Sequence, residues 1–324
     1  MDFVELVRKH DVADTILQVC HIPLVRALIR SANNTQSLRE HGSRLSGPKS
    51  SGRVRPQEES LALQEILKLL FNLTHLFPSL KKDFEPAIEP VFDLINQENI
   101  RKSPLEPPMA QLINVLTSLE STDSRLTITY PEDYPSRNTD RLIWILDICA
   151  RTYQPEEMEQ QAAPLILLIR RLYGDAPEDV KQSMQRQLLP TEEDREKPLG
   201  QSQTLFSHLI QLSMSSFTPS LRDSISGLMF ELSDKDVDTF VKNVGFGYAS
   251  GFLTNNGLPL AQPSSTSMPS VDGTSARDVN PVTGQYLDSE KQDDGPPMTD
   301  EEKEREAERL FVLFERYVEY ATSW

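Results

Sequence analysis

The sequence predicts an all-α chain: an armadillo- or HEAT-like helical-repeat solenoid, followed by a disordered linker and a C-terminal amphipathic helix. Three observations carry this. Apolar residues recur at helical spacing over most of the chain. Helix follows helix with hardly any loop, as in Thr218–Leu253, TPSLRDSISGLMFELSDKDVDTFVKNVGFGYASGFL. Helix pairs or triplets recur at roughly 40 residues, the period of such arrays. A chain of 324 residues is long for one compact core, and a solenoid evades that limit by adding units.

The repeat domain is read as residues 1–254. Ile16, Leu17, Val19, Cys20, Leu24, Val25, Leu28 and Ile29 give 11–32 an apolar face, bent near Pro23. Residues 33–57 are polar, Gly/Ser-rich and basic, with Arg39, Arg44, Lys49, Arg53 and Arg55, and read as a flexible loop. Helices are expected at 58–77 and at 84–97, the latter with Pro86 in its first turn. Further helices are expected at about 107–120, 139–153, 156–173, 176–188, 201–216, 218–232, 234–243 and 246–254. Asp175 is expected to cap the helix that follows it, with Glu178 three residues on. Thr218 is expected to cap a helix opened by Pro219, whose missing N–H costs nothing there. Leu126–Tyr130 alternates, but it is one short piece between turns.

Residues 255–297 carry Pro, Ser, Gly and Asp without apolar periodicity and read as the linker. Residues 298–324 are the last helix, opened by a capping box at Thr299–Glu302. Ala307, Leu310, Phe311, Phe314, Tyr317, Val318 and Ala321 form its stripe, which either folds back on the solenoid or meets a partner.

The charge excludes several classes. A net charge of −16 and a pI near 4.8 argue against a nucleic-acid partner, whose surfaces carry a basic stripe. Cys20 and Cys149 are isolated, so no disulfide framework or metal site is suggested, and no cofactor is expected. Charges at Asp2, Glu5, Arg8 and Lys9 interrupt any signal peptide, and no apolar run approaches the roughly 20 residues of a membrane span. The expected location is the cytoplasm. Gly245–Gly251 is spaced GxGxxxG after a helix, and so reads as tight helix junctions, not a phosphate loop. The five histidines have no metal-ligand spacing, and no chemical catalysis is expected.

Two residues suggest a working face. Glu65–Thr74, EILKLLFNLT, is an apolar helix interrupted by one amide, Asn72, and Asn114 is placed similarly in QLINVL. On the innermost helices of such arrays an asparagine faces the groove, where its amide both donates to and accepts from a bound peptide. The competing reading is an asparagine that satisfies a neighbouring loop.

EILKLLFNLT, Ala110–Leu119, Leu221–Phe230, KNVGFGYASGFL at Lys242–Leu253, and NPVTG at Asn280–Gly284 followed by MTDEEKEREAERLFVLFER together resemble the synembryn family. The matches run in the family's order from about residue 58 to 316, and the NPVTG–linker–helix ending is the most specific of them. The family has further N-terminal repeats, and this chain is expected to begin midway through them; residues 317–324 depart from its pattern. The resemblance implies a chaperone and guanine-nucleotide exchange factor for heterotrimeric G-protein alpha subunits, acting as a monomer without covalent chemistry. The family's solenoid captures the C-terminal helix of a GDP-bound alpha subunit in its concave face and loosens GDP. Carried onto this chain, Asn72 and Asn114 would face the captured helix, and Arg222 would meet its terminal carboxylate. Lys242, Phe246 and Tyr248 flank the glycine segment as further partner-binding positions. The family's acidic phosphorylation sites are not supported, because Ser264, Ser265, Ser267 and Ser270 have only Asp272 nearby. The alternative is an armadillo or HEAT adaptor binding an extended peptide of another partner.

Overall fold

The computed structural model describes residues 57–100, 103–119, 126–215, 218–259, 277–280, 282–290 and 299–309. The expected helix at 11–32, most of the basic loop and the apolar stripe beyond Ala307 lie outside these residues. The described residues fall into two units, divided after Ser289.

The first unit is an all-α solenoid. Its helices are α1 (Gln57–Leu76), α2 (Ile88–Gln97), α3 (Met109–Ser118), α4 (Leu126–Thr129), α5 (Arg137–Thr152), α6 (Pro155–Gln161), α7 (Ala163–Asp175), α8 (Glu178–Leu188), α9 (Glu192–Arg195), α10 (Leu205–Ser213), α11 (Pro219–Leu232), α12 (Val237–Val244) and α13 (Phe246–Asn255). One row stacks in succession: α1 on α3, α3 on α7, α7 on α11, and α11 on α13. A second row runs behind it, with α2 on α5 and both α8 and α10 on α5. Each first-row helix is amphipathic in the way this demands. On α11, Leu221, Ile225, Leu228 and Leu232 recur at i, i+4, i+7 and i+11 and are completely buried.

Buried polar links tie one layer to the next. Thr74 and Ser118 share a 2.7 Å hydrogen bond between α1 and α3, and the Tyr130 hydroxyl donates to the Leu172 carbonyl at 2.6 Å. Asn138 donates to the Thr129 carbonyl (2.8 Å) and accepts from Asn96 (2.7 Å). Two arginines close helix C-termini that would otherwise leave carbonyls unpaired. Arg141 donates to the carbonyls of Ile95 and Glu98 at the end of α2, and Arg171 to those of Leu116, Thr117 and Leu119 at the end of α3.

Several local expectations change. The helix expected at 156–173 is two, since Ala162 is at once the C-cap of α6 and the N-cap of α7, with Pro164 in the first turn of α7. Asp175 ends α7 instead of capping α8, whose N-cap is Pro177. Thr218 does precede Pro219, but at ψ 64° it is far from the extended conformation a capping residue adopts; its hydroxyl is buried and makes no hydrogen bond among the described residues. Leu126–Thr129 is a single helical turn. Gly245 is a tight junction as expected, joining α12 to α13 at φ +81°.

The largest change concerns the segment read as a linker. Residues 277–280 and 282–289 fold back as a hook with an isolated antiparallel bridge between Val279 and Tyr286. The hook is bonded to the end of α9, because its backbone groups find partners there: the Leu199 amide donates to the Thr283 carbonyl, and the Tyr286 amide to that of Arg195.

The second unit holds α14, residues 300–309. Its capping box forms as expected, with the Thr299 amide donating to Glu302 at 2.9 Å and the Glu302 amide to the Thr299 hydroxyl at 3.4 Å. No helix among the described residues is long and apolar enough to cross a membrane.

Candidate functional site

The stacking order decides which residues share a face. Asn72 lies on α1, Asn114 on α3 and Arg222 on α11, so all three belong to the first row, with α7 between the last two. Asn72 is exposed beside Leu69 and Leu76, one turn away on either side, which are themselves 46% and 66% exposed. Those two leucines break the amphipathic rule on the same face as the amide. Asn114 is half-buried; its backbone carbonyl accepts from Thr117 Oγ1 at 2.7 Å, and its side-chain amide makes no hydrogen bond among the described residues. The Asn72 and Asn114 amides are therefore available to a ligand.

One turn beyond Asn114, Thr117 reaches the rim of a cavity in the row. It is an opening of about 400 Å³ between α3, α7 and the end of α11. Leu167, Leu168, Arg170, Arg171, Gly174 and Asp175 contribute its α7 wall, and Glu231 and Lys235 the opposite one. Leu167 is 57% exposed, so this wall too presents apolar surface. Arg170 donates through Nε (3.2 Å) and Nη2 (2.9 Å) to Glu231 Oε1, and Lys235 lies 3.2 Å from Glu231 Oε2. Burial pushes the Glu231 carboxyl up, but the Arg170 and Lys235 bonds outweigh it and hold the group below its ordinary value. Gly227 makes this geometry possible: a Cβ there would stand 2.8 Å from Arg170 Nη1.

The α7 cluster was not singled out by the sequence reading. Its signal was the pair Arg170-Arg171, two cations inside an apolar helix, which periodicity alone treats as surface. One of them caps α3 and the other pairs across to α11.

The remaining candidates sit elsewhere. Arg222 is half-exposed near the start of α11, with Nε 3.3 Å from Asp223 Oδ1. Lys242, on α12, is exposed, while its carbonyl accepts from Arg195 Nη2 at 3.2 Å. Phe246 and Tyr248 open α13 and are half-buried against the core, and the Tyr248 hydroxyl donates to the Leu199 carbonyl at 3.0 Å. Tyr248 is thus already engaged within the protein. The structure brings Asn72, Asn114 and the cavity onto one row and gathers Lys242, Phe246 and Tyr248 at its far end.

Comparison with known proteins agrees with the motifs read from the sequence. The family model described as guanine nucleotide exchange factor synembryn matches residues 17–319. A synembryn-like chaperone of Schizosaccharomyces pombe is 26% identical over 82% of this chain and 53% of its own length. The chaperone Ric-8A of Bos taurus is 25% identical over 90% of this chain and 57% of its own length; that of Xenopus laevis is 24% identical over 80% and 51%. The chain spans about half the length of the curated relatives it matches. With the family model matching from residue 17 to residue 319, the chain belongs to the synembryn family.

Proposed function

We propose that this chain is a chaperone and guanine-nucleotide exchange factor for heterotrimeric G-protein alpha subunits. The family match over residues 17–319 carries the reading. The open first row supports it, because the Asn72 and Asn114 amides and the cavity at Arg170 offer a helix-sized ligand both apolar surface and hydrogen bonds. The chain acts by capture and performs no covalent chemistry. It binds the C-terminal helix of a GDP-bound alpha subunit along α1, α3, α7 and α11, and holds best the conformation that has lost its nucleotide. By linkage, a protein that prefers the nucleotide-free state weakens nucleotide binding by the same factor. GTP then restores the alpha subunit and ends the complex. Holding a nucleotide-free alpha subunit is also what a folding chaperone for it does.

The test is release of fluorescent GDP from purified alpha subunits with and without the chain. Faster release, weakened by Asn72→Ala in a variant that remains folded, is the expected result. Binding without acceleration would reduce the chain to a holdase. No binding to any alpha subunit would leave an adaptor for a different peptide.

A further inference from the structure

Three segments far apart in sequence meet at one junction. Residues 194–200 lie in the middle, the α12–α13 corner on one side and the hook on the other. Arg195 is buried and its guanidinium reaches both neighbours: Nη1 donates to the Gly284 carbonyl at 3.0 Å, and Nη2 to the Lys242 carbonyl at 3.2 Å. Leu199 repeats the pattern. Its amide donates to the Thr283 carbonyl, its carbonyl accepts from the Tyr248 hydroxyl, and its side chain fills the space above Gly284. The hook also touches the corner directly. A Cβ on Gly245 would stand 2.9 Å from the Val282 carbonyl oxygen, and one on Gly284 would stand 2.2 Å from Leu199 Cδ1. Both glycines have positive φ, +81° and +69°, so each is required twice, by backbone conformation and by space.

This arrangement is more than a covering. A loop that merely lay on the surface would not share a buried guanidinium with the helix behind it. Among the described residues, the guanidinium of Arg195 donates to no carboxylate. It satisfies two carbonyls, and moving either segment strands donors of a buried charge. We propose that the hook is a brace that positions α12 and α13, with Arg195 and Leu199 as the positioning residues that transmit its hold to Lys242 and Phe246. The proposal rests on the preceding reading only where it extends to partner binding. The hook's contribution is to fix the corner on which those two side chains stand.

A brace makes a reciprocal prediction. The experiment uses the full chain with Gly284→Ala and, separately, Gly245→Ala, and follows amide hydrogen exchange residue by residue. Gly284→Ala changes a hook residue and presses on Leu199 without touching the corner, yet exchange of the Gly245 and Ala249 amides, which bond to Val241 and Gly245, is expected to accelerate about tenfold or more. Gly245→Ala changes a corner residue and presses on the Val282 carbonyl, and the more distant Gly284 and Tyr286 amides are expected to accelerate likewise. In both variants exchange within α3 and α7 stays at its wild-type rate. Adding Leu199→Ala to Gly284→Ala opens the space that the new methyl needs but leaves the backbone strain at φ +69°, so exchange at the corner is expected to slow only in part. Alpha-subunit binding is measured on the same samples, and Gly284→Ala is expected to weaken it in step with the corner's exchange.

The proposal is overturned if either glycine variant loosens its own segment alone, or if α3 and α7 accelerate equally, which is general destabilisation. It is also overturned if a loosened corner leaves alpha-subunit binding unchanged. If the wild-type chain binds no alpha subunit, the functional reading fails, while the exchange data still decide whether the hook braces the corner.

Discussion

The first row of helices and the three-way junction at its end are held together by opposite means. Between α7 and α11 the buried residues are apolar and repetitive, Leu165, Ile169 and Leu172 on one helix and Leu221, Ile225 and Leu228 on the other, with the Arg170–Glu231 pair at the rim. Any residue of similar size and shape would serve. At the junction, Asp194 is buried and accepts from the Thr191 amide (2.9 Å) and from the hydroxyls of Thr191, Thr204 and Ser207. Arg195 beside it satisfies backbone carbonyls, and two glycines leave room for the hook. Here each residue meets a specific partner. Apolar stacking fills most of the row, with a few polar links between layers, but turning the chain back takes a cluster of individually placed polar groups.

The sharpest way to expose this contrast is to remove apolar volume from the row. Leu228→Ala leaves a cavity on the fully buried face of α11, and is expected to cost about 2–5 kcal/mol of unfolding free energy. Urea denaturation should show the midpoint falling with little change in slope. A loss well below this range would mean that neighbouring helices slide to fill the space, and that the row is more pliable than its packing indicates.

That same contrast governs what the sequence disclosed. The row was legible because periodicity reports burial: EILKLLFNLT and PSLRDSISGLMFEL announce their faces, and the helix bounds moved by only a few residues. Thr299–Glu302 was legible because a capping box is local. The hook was not. Residues 277–289 lack periodicity, and what orders them lies some 80 to 90 positions away in sequence, at Arg195, Glu196 and Leu199. Arg171 shows the same limit. Nothing local distinguishes a surface arginine from one whose guanidinium caps the helix of a preceding layer. Asn72 and Asn114 were legible as amides in apolar helices, but the cavity one turn away needed the fold.

The junction should reveal itself through pH. Burial raises the Asp194 carboxyl, yet the hydrogen bonds from Thr204, Thr191 and Ser207 outweigh this and hold it below its ordinary value. Its folded-state pKa is lower than its unfolded one, so its contribution is complete above about pH 4 and disappears as pH falls through the folded value. Asp194→Asn keeps the shape, loses the charge, and places two donors among donors. It is expected to cost about 1–3 kcal/mol at pH 7. Denaturation midpoints of wild type and variant should converge as pH drops below 4. A constant difference would show that the carboxylate charge is not what the site holds.

A smaller effect on stability is expected from Arg170→Ala. The Arg170 side chain is 41% exposed and its pair with Glu231 is screened by water, so less than about 1 kcal/mol should be lost. Binding should respond more strongly than stability, because the guanidinium lies on the cavity wall next to Leu167. Isothermal titration with an alpha subunit, read alongside thermal melting, separates the two.

Asn72→Ala should change stability least. Its side chain is exposed, and surface substitutions away from special features fall within about 0.5 kcal/mol. Truncating the amide also raises local helix propensity, which offsets part of any loss. Its effect should therefore appear only with a partner present, as slower capture and slower GDP release at an unchanged melting temperature. Arg222→Glu provides the matching control, since Arg222 stands on the same row but already neighbours Asp223, and reversing its charge places two acidic groups side by side. If Asn72→Ala weakens binding and Arg222→Glu does not, the contact runs along α1 and α3 and reaches the cavity without extending to the start of α11. If Arg222→Glu alone weakens it, the working surface lies at the α11 end of the row, and the amides of Asn72 and Asn114 are polar groups without a part in binding.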